Sequence, residues 1–389
     1  MATTASTQQS FTRNVQRADK STGWRFRTHV AAVMFAVPLV LLAARTAGAA
    51  DPDLREVANK GIHYLTTAQA EDGSLSARAG VGPTALAMLA LLRNGRPVSD
   101  PAVARGLAYL EKAVQPNGGI HQPNSRVASY ETCVALMCLN EANVNGRYDA
   151  LIKKADGYIR GVQWDEQDGK DSADFNYGGA GYKPGSRPDL SNTSFMIDVL
   201  KAAGAGADDE ALKRAQVFVS RCQNLETAHN TTPLASKVND GGFYYALTVE
   251  QQGDKGGPQG GLRSYGAMTY SGLKSLLYAG VKKDDPRVKA AVAWIQKHYD
   301  LKSNPGMGDA GLYYYYHTFG KALDALGVEE FEDAKGAKHD WRKELGAELA
   351  SRQKADGSWL NSNGQWMEND PNLATSFALL ALSYCQPKN

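Results

Sequence analysis

Taken whole, the 389-residue chain has almost no surplus of one charge: 43 Lys and Arg stand against 41 Asp and Glu, for a net charge of +2. With no basic stripe and no nucleic-acid motif, recognition of DNA or RNA is not expected. Cysteine is scarce, with four in all and no spacing that resembles a zinc site. Cys133 and Cys138 fall on one predicted helix, where about 100° per residue turns them about 140° apart, so they should not pair. Buried free thiols are the expected state, and neither a metal nor another cofactor is expected. The apolar run AAVMFAVPLVLLAA (Ala31–Ala44) is short for a bilayer span of about 20 residues, and Pro38 interrupts it.

That run has another reading. A polar leader with Arg13, Arg17, Lys20, Arg25 and Arg27 precedes it, and small residues at Ala47 and Ala49 follow it. Basic segment, short apolar segment and A-x-A site together describe an export signal. Residues 1–49 are therefore expected to direct export to the periplasm or the medium, with cleavage near Ala50. An uncleaved N-terminal anchor, the one route to a membrane, is the alternative. Residues 50–389 read as a single domain of ordinary globular composition, 43% hydrophobic and 22% charged over the whole chain.

Within that domain the chain repeats itself. Six amphipathic helices end in a turn, among them HYLTTAQAEDGSL (63–75), AYLEKAVQPNGGI (108–120) and LASRQKADGSW (349–359), and a more apolar helix follows each one. In DWRKELGAELASRQ the apolar residues Trp341, Leu345 and Leu349 form one stripe, the pattern of a surface helix with one buried face. In PNLATSFALLALSY, apolar or small residues surround the axis from Leu373 to Leu382, so that helix should be buried on all sides. Six outer helices alternating with six inner ones predict an all-α ring of six hairpins. Closure is favoured over an open solenoid because neither end shows a polar cap. Gly95, Gly204, Gly280 and Gly327 stand where left-handed residues end helices, and Thr84, Thr132, Asn192 and Ser264 stand where side-chain oxygens satisfy free amides.

Gln353, Gly357 and Trp359 complete a unit, Q-x(2 to 5)-G-x-W, that resembles the repeat of squalene and oxidosqualene cyclases and, more loosely, of protein prenyltransferase β-subunits. Gln69 with Gly73, and Gln115 with Gly118 and Gly119, match it without the tryptophan. The resemblance runs over residues 57–386 and implies the α/α toroid of terpenoid cyclases and prenyltransferases. It also implies that glutamine and tryptophan tie the end of an outer helix to the turn leading inward. The complement-type thioester proteins share that toroid, but no GCGEQ-like sequence is present.

The chemistry of those families does not transfer intact. Protonating cyclases carry DxDDT at an inner helix, where a carboxylic acid tuned by a partner carboxyl protonates an alkene or epoxide. The nearest match is DLSNT, which keeps Asp189 and Thr193 but has Ser191 and Asn192 at the acid and its neighbour. Tyr316, His317 and Thr318 resemble the zinc-histidine segment of the prenyltransferases, yet Arg263 and Tyr265 occupy the positions of the aspartate and thiolate. A phenol does not replace a thiolate on zinc.

What remains is a concentration of unusual residues in the outer-to-inner turns, above all the long loops 163–189 and 223–263. Asp189 and His317 are the candidate catalytic groups. Tyr177, Tyr182, Arg187, Asp240, Phe243, Tyr244, Arg263, Tyr265, Tyr314, Tyr316 and Trp366 are the candidate ligand contacts, since aromatic walls with a few polar groups suit a pocket. Each also has a plain structural reading: the tyrosines pack their loops, His317 bonds a neighbour or caps its helix, and Asp189 caps a helix. Three functions follow for comparison. The first is a toroid holding an apolar ligand, isoprenoid by the resemblance, as a diverged enzyme or a carrier. The second is a secreted module binding a glycan or protein. The third is a polysaccharide-active enzyme using two of Asp240, Glu368 and Asp370.

Overall fold

The computed structural model describes residues 51–247 and 260–386. The expected export segment lies outside them, as does part of the loop 223–263. Among the described residues no helix is long and apolar enough to cross a membrane.

The chain alternates outer and inner helices from its first element: α1 (Leu54–Ala68), α2 (Gly82–Arg93), α3 (Pro101–Lys112), α4 (Ala128–Glu141), α5 (Asp149–Arg160), α6 (Leu190–Ala202) and α7 (Glu210–Arg221). A single turn, α8 (Ala235–Val238), interrupts the long loop before α9 (Gly266–Tyr278), α10 (Pro286–Lys297) and α11 (Leu312–Leu326). A two-residue hairpin, β1 (Phe331–Glu332) against β2 (Lys338–His339), precedes α12 (Trp341–Arg352) and α13 (Pro371–Cys385). Aspartates 53, 100, 209, 285 and 340 cap five of the outer helices, their carboxylates accepting from first-turn amides.

Burial separates the two helix types as the apolar patterns require. Trp341, Leu345 and Leu349 turn one stripe of α12 inward, whereas α13 is buried continuously from Leu373 to Leu382. The inner helices pack in order α2, α4, α6, α9, α11, α13, and α13 returns to pack against α2. The ring is closed. At the seam, α1 lies against α13 and beside α12, so first and last hairpins are neighbours.

The repeated glutamine shows how the outer layer is stitched. Gln353 Nε2 donates to the carbonyls of Gly357 (3.0 Å), in its own turn, and of Val57 (2.9 Å), in α1. Gln69 reaches Gly73 and Ala102, Gln163 reaches Gly178 and Ala211, and Gln223 reaches Gly241 and Arg287 in the same way. The glutamine thus ties the end of its own outer helix to the turn leading inward, as the resemblance implied, and joins that turn to the next outer helix as well. Gln115 departs from the pattern and bonds Ala113 and His121 in its own hairpin. A second inward tie comes from threonine: the Oγ1 atoms of Thr84, Thr132, Thr193, Thr269 and Thr375 accept the amides of Leu75, Ile120, Ala180, Phe243 and Trp359. The amide-satisfying roles expected of Asn192 and Ser264 belong instead to Thr193 and Thr269, further along the chain in each case. Trp359 is fully buried and donates its indole N–H to Leu349 O at 2.8 Å. The four cysteines are buried and unpaired.

Candidate functional site

Because each outer helix is followed by a turn and then an inner helix, all six inner helices begin at one end of the ring. At that end the bore widens into a cavity of about 260 Å³. Its wall draws on every inner helix or the turn before it: Pro83 from α2, Tyr130 from α4, Phe195 from α6, Met268 from α9, Tyr314 from α11 and Phe377 from α13. Tyr182, Tyr245, Tyr265, Trp366 and Met367 complete the upper part, and the polar lining is confined to groups such as Ser191, Asn192, Asn304 and Glu368.

Tyr314 crosses the bore. Its ring sits 6.1 Å from Phe195 and 5.7 Å from Phe377, centroid to centroid, and its hydroxyl is within 3.0 Å of Ser191 Oγ and 3.3 Å of Ser271 Oγ. Glu368 holds the start of α11 by accepting the Tyr314 amide at 2.8 Å, while its other oxygen accepts from Asn361 Nδ2 at 2.7 Å. Burial raises the Glu368 pKa against those hydrogen bonds. Glu131 does comparable work at α2, accepting the Val81 amide at 2.8 Å.

Asp189 is buried at the N-cap of α6. One carboxylate oxygen accepts the Asn192 amide N–H at 2.8 Å and the other its side-chain N–H at 2.7 Å. Burial pushes its pKa up to about 6, opposed by the hydrogen bonds from Asn192 and Tyr245. It is Asn192, not Asp189, that lines the cavity. The carboxyl therefore holds a helix start and orients Asn192. His317 lies below the cavity in α11, with its ring near Phe377 and Tyr384. Burial and the nearby Lys321 hold its pKa well below 6.5, so the imidazole is neutral.

Of the expected ligand contacts, Tyr182, Tyr265, Tyr314 and Trp366 meet at the cavity. The others serve elsewhere. Tyr177 donates to Glu166 at 2.6 Å, and Tyr316 donates to Leu301 O at 2.7 Å. Tyr244 donates to Arg221 O, and Phe243 is pressed against Gly272 of α9, where a Cβ would come within 2.3 Å of its ring. Asp240 accepts from Ser264 Oγ and Trp294 Nε1, tying its turn to the neighbouring helices. Arg187 is exposed on its loop, and the Arg263 guanidinium rests against the Met307 sulfur. Of the carboxylates considered for glycan hydrolysis only Glu368 lines the cavity, where it anchors α11, while Asp370 caps α13 and Asp240 holds Ser264 and Trp294.

The cavity mouth carries a second feature. Trp366 and Met367, consecutive and both left-handed (φ 56° and 65°), line the cavity while each is 45% exposed. Large apolar residues in that conformation are strained by about 1 to 3 kcal/mol each. The Trp366 ring is seated over Gly311, where a Cβ would come within 2.9 Å of it.

No protein-family model matches the chain. A squalene–hopene cyclase from Bradyrhizobium diazoefficiens is 27% identical over 237 residues, a match covering 55% of this chain and 33% of that enzyme. Among solved structures, the type II terpene cyclase MstE from Scytonema superposes with a TM-score of 0.52 at 12% identity, covering 85% of this chain and 97% of its own. The same cyclase in complex with geranylgeranyl dihydroxybenzoate gives 0.51 at 13% identity over 85% and 97%. A D-mannose isomerase gives 0.55 at 13% identity over 87% and 98%. The fold is the α/α toroid of the terpene cyclases, and the isomerase is similar to it as well.

Proposed function

We propose that the toroid binds an apolar ligand of isoprenoid class in the cavity at the inner-helix starts, and that its N-terminal segment directs export. The observation that carries the reading is the composition of the wall. Phe195, Met268, Tyr314, Leu373 and Phe377 surround the space, and of the few polar groups there Ser191 bonds the Tyr314 hydroxyl, Asn304 and Glu368 bond backbone groups, and Asn192 Oδ1 alone has no partner among the described residues. Such a lining favours the transfer of a hydrocarbon chain from water by roughly 25 cal/mol per Å², while a sugar would leave most of its hydroxyls unmatched. The squalene–hopene cyclase and MstE likenesses agree with an isoprenoid. Ser191 and Asn192 stand in place of an alkene-protonating acid, so the reading is of binding and transport, or of chemistry that does not start with that protonation.

Ala79 lies at the cavity edge and is partly exposed, so a larger side chain there can fill the mouth without entering the packed core. Ala79→Trp should weaken displacement of a fluorescent farnesyl analogue by geranylgeraniol by about tenfold or more, with the thermal midpoint unchanged. Equal displacement in both proteins would place the binding elsewhere.

A further inference from the structure

Three of the most apolar helices each carry a charge in mid-length: Asp198 in α6, Lys274 in α9 and Lys321 in α11. All three side chains are buried, and they meet in the bore below the aromatic cavity. Lys274 Nζ and Lys321 Nζ each lie 2.6 Å from a different oxygen of Asp198. Two ammonium groups against one carboxylate leave one positive charge in excess, and an unmatched buried charge is costly.

The two lysines are not equivalent. Lys274 uses all three of its N–H groups, on Ser194 O (3.0 Å), Ser194 Oγ (2.7 Å) and Asp198. Lys321 bonds only Asp198 among the described residues, which leaves two N–H groups without an acceptor. One turn earlier on the same helix, His317 is 4% exposed and its Nδ1 has no partner among the described residues. Both residues line a small void of about 10 Å³, together with Ser194 and Thr318. A space of that size accepts about one oxygen atom. Phe195 and Tyr314 wall this void and the aromatic cavity alike.

The geometry points to the void as the headgroup site of the ligand: a carboxylate on an isoprenoid or similar hydrocarbon chain, received by Lys321 with His317 beside it. This inference rests on the apolar cavity being the binding site. A carboxylate supplies the acceptor that Lys321 lacks and cancels the excess charge. The void takes one oxygen of a carboxylate, and the rest of the group needs the space that opens as the Phe195 and Tyr314 rings part; a diphosphate matches the charge but needs room for several more oxygens. Burial holds the Lys274 pKa down to about 8 and lowers that of Lys321, as expected of a cluster short of one negative charge. Entry of the headgroup needs the Phe195 and Tyr314 rings to part. The Tyr314 hydroxyl bonds to Ser191 and Ser271 are the ones that must open.

Isothermal titration of the chain with farnesoic acid, farnesol and methyl farnesoate tests this without any substitution. The acid should bind at least about tenfold more tightly than either neutral compound, a factor within reach of one charge-assisted hydrogen bond. In Lys321→Met the acid should fall to the level of the alcohol while the ester is unchanged. The headgroup assignment is overturned if all three compounds bind alike, or if the acid keeps its advantage in Lys321→Met, and the cavity reading survives both results. If none of the three binds, the cavity reading fails and this inference fails with it.

Discussion

Asp198→Asn should be the most damaging single substitution in the bore, costing about 3 to 5 kcal/mol, because it leaves two buried ammonium groups facing a neutral amide. Asp198 receives both Lys274 and Lys321 at 2.6 Å, and none of the three side chains is more than 7% exposed. Lys321→Met provides the contrast. It removes the surplus cation, leaves Lys274 paired with Asp198 and Ser194, and fills its place with an apolar side chain of similar length. Replacing part of a buried ionic group by hydrophobic volume is often neutral or stabilising, so Lys321→Met should unfold within about 1 kcal/mol of the parent. Urea titrations followed by far-UV circular dichroism measure both. Equal destabilisation by the two would mean that the cluster does not carry the net positive charge assigned to it.

The second large effect is expected at the seam of the ring. Gly357 has φ +85°, and a Cβ there would lie 2.4 Å from the carbonyl oxygen of Lys60 in α1. Gly357→Ala must therefore absorb left-handed strain of about 1 to 2 kcal/mol and also push the last turn away from the first helix, for a total of about 2 to 5 kcal/mol. Gly95 is the control. It has the same φ, +85°, and a Cβ there would meet no atom within 4 Å. Gly95→Ala should lose only the strain, about 1 to 2 kcal/mol. The difference between the two unfolding free energies isolates the contact that closes the annulus, and a zero difference would mean that Gly357 does not press on α1.

Much of this architecture can be read from residue order alone. The contrast between the single stripe of Trp341, Leu345 and Leu349 and the all-round apolar surface of α13 reports burial on one face or on all faces, and that suffices to sort outer from inner helices. The Gln and Gly positions of the repeat are visible as well, since one side chain and one backbone conformation recur from stitch to stitch. The second bond of each stitch, to the neighbouring outer helix, is not visible, because nothing in the residue order says which carbonyl beyond its own turn the glutamine amide reaches.

The site is harder to read for a related reason. A helix that is apolar all round gives no sign of which face looks into the bore. Tyr314 and Tyr316 are two positions apart and so point about 160° apart; the first crosses the cavity, and the second donates to Leu301 O. Phe195, Met268 and Phe377 are inconspicuous in the sequence because they lie inside helices, whereas Phe243 and Tyr244 stand out because they lie in a glycine-rich loop. Asp198, Lys274 and Lys321 do leave a signal. A charge in the middle of SFMIDVLK, SGLKSLL or TFGKALDAL has no solvent to reach if the helix is buried on all sides, and it must therefore meet a partner within the bore.

The proposed function depends on the bore above those charges holding a hydrocarbon chain. A crystal structure of the chain grown with geranylgeraniol tests it most directly. Continuous ligand density between the rings of Phe195, Tyr314 and Phe377, under Trp366, is the expected result. Density confined to the outer surface, or a bore filled by Trp366 and Met367 with the ligand excluded, would contradict it.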